Sequence, residues 1–90
     1  MVEVKQAVTN ALVFLEDMYQ GEQIDEVRLE EVELSEDGDL WHVTLSFLRG
    51  RGQSGLAKAI GSESRSREYK ELTVMSRTGD VRSMKIRTLS

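Results

Sequence analysis

The 90-residue chain predicts an α+β domain, one N-terminal helix packed on a four-stranded antiparallel meander sheet. Three observations predict it. Apolar residues near the N-terminus recur at three- and four-residue steps, and from Ile24 onward they recur every second residue. Glycine-bearing turns separate the alternating stretches.

The helix is carried by Val4, Ala7, Val8, Ala11, Leu12, Leu15, Met18 and Tyr19, the apolar stripe of an amphipathic element. It is expected from about Val2 to Gln20, ended by Gly21, which meets no steric penalty in a left-handed terminator. The first strand alternates at Val27 and Leu29 and again, one residue out of phase, at Val32 and Leu34. A bulge at Glu30-Glu31 restores the phase. Glu36-Asp37-Gly38-Asp39 is a turn, with Gly38 able to take positive φ. The second strand then puts Trp41, Val43, Leu45 and Phe47 on the core face, where Trp41 is expected near Leu12 or Leu15. Residues 49–66 hold four of the seven glycines and are expected to be a flexible loop, with a helical turn at Leu56–Ile60. A third strand runs through Tyr69–Met75, and a turn follows at Arg77-Thr78-Gly79-Asp80. The last strand, from Val81 to about Arg87, presents Val81, Met84 and Ile86 to the core.

One domain accounts for the whole chain, with no repeat and no linker. The absence of Cys removes disulfides, thiolate metal sites and cysteine nucleophiles. The longest apolar run, Ala11–Leu15, is too short for a membrane span or a signal peptide, so a cytoplasmic protein without membrane attachment is expected. A single His and no acid/base constellation predict no enzyme, no metal and no cofactor.

Charge divides along the chain. Residues 1–48 set Lys5 and Arg28 against twelve acids, a balance of −10, while residues 49–90 stand at +6. Acidic and basic strands lying side by side in one sheet account for this division, and a basic surface for nucleic acid is the alternative.

The helix, the bulged strand VRLEEVELSEDG, the strand WHVTLSF and the hairpin YKELTVMSRTGDVRSMKIR together resemble a PepSY-like domain, with its cystatin-like helix on a curled meander. The hairpin turn Thr78-Gly79-Asp80-Val81 is the most specific part. The resemblance implies a small non-catalytic module that inhibits or otherwise binds another protein. It carries over no functional residue, because the matching positions are core and turn.

Two candidate sites emerge. Gly50-Arg51-Gly52-Gln53-Ser54-Gly55 has the spacing of a dinucleotide loop, but only Leu56–Ile60 is available to form the helix such a loop must open, and the match reads as accidental. Arg49, Arg51, Lys58, Arg65 and Arg67 around it could hold an anion or a nucleic-acid backbone, without an aromatic residue in the loop to stack bases. The second candidate is the outer sheet face, where Leu48, Tyr69 and Met75 add apolar area to Glu31, Glu33, His42, Glu71, Lys85 and Arg87. An unidentified protein partner is therefore the expected ligand, a homodimer is a further alternative, and nucleic acid bound by residues 49–67 and the last strand is the competing reading.

Overall fold

The computed structural model of the chain describes residues 1–49 and 67–88. One helix, α1 (Val4–Met18), precedes four strands, β1 (Ile24–Leu34), β2 (Leu40–Arg49), β3 (Arg67–Met75) and β4 (Val81–Ile86). Each strand pairs antiparallel with the next, in the sheet order β1-β2-β3-β4. The α+β architecture with the helix packed on the sheet is the one the periodicity predicts.

The core lies between the helix stripe and the two central strands. Ala7, Ala11 and Leu15 are fully buried against Val43, Leu45 and Phe47 of β2 and Leu72 and Val74 of β3. Two alanines at successive turns keep the helix close to the sheet, and larger residues on the helix flanks, Val8, Leu12 and Phe14, pack around the edge of this cluster. No helix of the described residues is long and apolar enough to cross a membrane.

Both helix ends are shorter than the stripe implies. The Val2 amide donates to the Ser76 carbonyl at 2.7 Å, which ties the first residues to the end of β3 before the first helical bond, Ala7 to Glu3, can form. At the other end Gly21 takes φ +90 as expected, and Gly38 takes φ +79 in the β1–β2 turn.

β1 is bulged between Leu29 and Glu31, as the phase slip requires, and again between Asp25 and Arg28. The second irregularity has no mark in the sequence pattern. There Glu26 adopts φ +51, a left-handed conformation that a glutamate rarely takes.

Three expectations are corrected. Trp41 faces the core side but is only half-buried, and its Nε1 donates to the Val2 carbonyl at 3.2 Å, so it meets the start of the helix rather than its middle. Leu29 and Ile86 also lie on the core side but remain 48% and 77% exposed. A single helix, about 10 Å across, covers the two central strands and only part of each edge strand, so Val32 and Met84 pack at the margin of the core while Leu29 and Ile86 stay open. Arg49 and Arg67, expected at the borders of the loop, are the last residue of β2 and the first of β3. The remainder of that expected loop, with the turn at Leu56–Ile60, lies outside the described residues.

Candidate functional site

The face of the sheet opposite the helix is built by alternation. His42, Thr44 and Ser46 of β2 stand between Glu31 and Glu33 of β1 on one side and Glu71 and Tyr69 of β3 on the other. An open sheet face exposes such residues, yet Thr44 is 2% and Ser46 0% accessible. Two arginines cover them. Arg67 donates to Ser46 Oγ at 2.8 Å and to the Glu26 carbonyl at 2.9 Å. Arg87, just past β4, donates to Thr44 Oγ1 at 2.7 Å and to Glu31 Oε1 at 2.6 Å.

The second of these contacts reports the shape of the sheet. Glu31 lies on one edge strand and Arg87 continues the other, three strand spacings or about 14 Å away in a flat sheet. Arg87 therefore lies across the face, over Thr44 on β2, to meet Glu31, and the face dips beneath this span. The dip is a concavity of about 310 Å³ lined by Glu31, Glu33, His42, Thr44, Glu71 and Arg87. Within it Arg87 engages Glu31 and Thr44, and His42 engages Glu71. His42 Nδ1 lies 3.0 Å from Glu71 Oε2, and the Ser46 hydroxyl donates to Glu30 Oε2 at 2.6 Å. The hydrogen bond to Glu31, with that carboxylate's charge, raises the Arg87 pKa above its ordinary value. Among the described residues no three His, Asp or Glu side chains are placed to hold a metal ion.

Arg49 works on the helix side. Its Nε and Nη2 donate to the two Glu68 carboxylate oxygens at 2.8 and 3.0 Å, a bidentate fork, and its Nη1 donates to Glu22. The guanidinium carbon stands 5.0 Å from the Tyr19 ring centre, and Tyr19 in turn meets Phe47 at 5.1 Å between centroids. The Glu68 hydrogen bond raises the Arg49 pKa against the opposing effect of burial. This arrangement closes the C-terminal end of the helix onto the sheet.

The sequence-predicted site residues therefore separate. Arg49 and Arg67 are held by glutamates on opposite faces, and Arg51, Lys58 and Arg65 lie outside the described residues. Leu48 and Tyr69 are half-buried diagonal neighbours beside Arg67 on the outer face. Met75 is half-buried at the far end of β3, opposite Leu40 and about 20 Å from Tyr69, so the three apolar residues do not make one patch.

The sequence also offers an edge strand as an interaction surface without choosing one, and the structure draws attention to the outer edge of β4. Among the described residues only β3 pairs with it. The Arg87 amide donates to the Tyr69 carbonyl at 2.9 Å, and alternation from that bond turns the main-chain groups of Met84 and Ile86 away from β3, toward the open side. Ile86 is the most exposed large apolar side chain of the described residues, and Arg82 and Lys85 beside it are exposed as well. A lone isoleucine in an alternating strand reads as core; its exposure depends on how far the helix reaches. No protein-family model, curated protein or solved structure matches this chain.

Proposed function

We propose that this chain is a small non-catalytic module that acts by binding another protein, as an inhibitor or regulatory partner. The observation that carries the reading is the state of the outer concavity. Its Thr44 hydroxyl lies beneath Arg87, which Glu31 holds, and its histidine is engaged by Glu71; beside it Ser46 lies beneath Arg67, which Glu26 holds. Groups so engaged hold a surface in shape; a reaction needs them aimed at a substrate. The order of one helix followed by a four-stranded meander is also that of the PepSY-like resemblance, which points to the same kind of role. A cytoplasmic site of action belongs to this proposal.

The competing anion or nucleic-acid reading loses three of its cations. Arg49, Arg67 and Arg87 are each matched to a carboxylate, and a phosphate would have to displace those partners. The test is affinity capture of the tagged full chain from its native cells, with and without nuclease, followed by a salt titration of the captured complex. A stoichiometric protein that survives nuclease and moderate salt is the expected result. Capture of nucleic acid alone, or loss of every partner on nuclease treatment, would overturn the proposal.

A further inference from the structure

Resting on the reading of the chain as a protein-binding module, we infer that the edge of β4, unpaired among the described residues, takes an extended acidic segment of the partner as a fifth strand. The edge offers the three things strand addition needs. Main-chain groups of Met84 and Ile86 face the open side and set the register. On the helix side of the sheet, the 77% exposed Ile86 stands uncovered beside the partly buried Met84, which packs at the margin of the core, and the two form an apolar strip along the edge. On the other side Lys85 is exposed, and Glu71, directly across from it on β3, is turned onto His42. Arg82 is exposed at the bulge that begins the strand. The complementary segment therefore alternates carboxylates, which meet Lys85 and Arg82, with apolar residues, which cover Ile86 and Met84.

The same charges decide which partners are refused. A second copy that pairs its own β4 antiparallel through the outward groups of Met84 and Ile86 brings Lys85 against its counterpart, with both Arg82 side chains on the same joined edge, and this like charge disfavours a symmetric dimer. The acidic strand of a second copy, β1, has the right sign, but its ladder is broken between Asp25 and Arg28 and again between Leu29 and Glu31. Such a head-to-tail contact would also not close on itself. Cations on an edge strand are a known guard against self-association, and here they leave the edge open to a segment of opposite charge.

The test uses the ¹⁵N-labelled full chain and three synthetic peptides: an alternating Glu-Val peptide, its Lys-Val counterpart, and the Glu-Val peptide N-methylated at alternate residues. The Glu-Val peptide should shift the amides of Met84 and Ile86 and slow their exchange, and the other two should bind at least about tenfold more weakly. The double variant Arg82→Glu/Lys85→Glu changes two exposed side chains and should reverse the preference toward Lys-Val, with an unchanged circular dichroism spectrum. The inference is overturned by no response at millimolar Glu-Val peptide, by equal response to the N-methylated peptide, or by shifts centred on Glu33 and His42. If the captured partner binds the double variant as well as the parent, the edge is wrong while the binding-module reading stands; nuclease-sensitive capture removes that reading itself.

Discussion

Arg49 shows how much a single side chain organises in a domain this small. Its fork on Glu68 and its stacking on Tyr19 join β2, β3 and the end of α1, and lysine, a point charge without the planar fork, cannot reproduce the geometry. Because the pair is about one-third exposed, its coupling is modest. A double-mutant cycle of Arg49→Ala and Glu68→Ala, read by urea unfolding, should give about 0.5–1 kcal/mol. A coupling indistinguishable from zero would mean the fork holds nothing together. Trp41 makes the complementary case. Trp41→Phe keeps most of the ring but strands the Val2 carbonyl, and should lower stability by about 1 kcal/mol. Trp41→Ala should cost about 2–3 kcal/mol, less than a fully buried aromatic would, because part of the side chain is already in solvent.

Turns test the account at the scale of elements. Gly38 and Gly79 share a positive φ, but a Cβ at Gly38 meets nothing within 4 Å, whereas one at Gly79 would approach Asn10 Nδ2 to 2.8 Å and Val2 Cγ1 to 3.2 Å. Asn10 Nδ2 donates to the Gly79 carbonyl, so yielding breaks the bond that ties the helix to the β3–β4 turn. Gly38→Ala should cost about 1–2 kcal/mol from backbone strain alone, and Gly79→Ala about 1 kcal/mol more; equal melting temperatures would contradict this. In the β1–β2 turn the Ser35 hydroxyl and the Asp39 amide donate to the Asp37 carboxylate and hold its pKa below the ordinary 3.8. A depressed carboxylate stabilises the fold above its unfolded pKa and loses that contribution as pH falls through the folded value. Urea midpoints measured from about pH 5 down to about pH 2 should therefore fall less for Asp37→Asn than for the parent. These elements were legible in unequal measure. The helix, β2 and the bulge after Leu29 follow from apolar periodicity, which burial imposes directly on the order of residues. The bulge at Asp25–Arg28 was not legible, because Glu26 at φ +51 carries no glycine to announce it. The reach of Arg87 to Glu31 depends on how a side chain lies across the sheet, and the pairing of His42 with Glu71 on strand register, neither of which a one-dimensional pattern contains.

For the whole molecule, one helix against four strands decides which surfaces stay uncovered. The helix covers the middle of one face, and Arg87, held by Glu31, lies across the dip in the other. One edge, β1, is broken by two bulges, whereas β4 is regular from Ser83 to Ile86 and carries an uncovered isoleucine and two exposed cations, Arg82 and Lys85. The proposed binding edge rests on the exposure of Ile86, which alternation alone places on the core side. Amide hydrogen exchange on the full chain, free and bound to the protein captured with it, tests this most directly. The account predicts slowed exchange at Met84 and Ile86 on binding, with the amides of His42 and Thr44 unchanged. Protection confined to the strands around His42, or to α1, with Met84 and Ile86 exchanging as in the free chain, would contradict it.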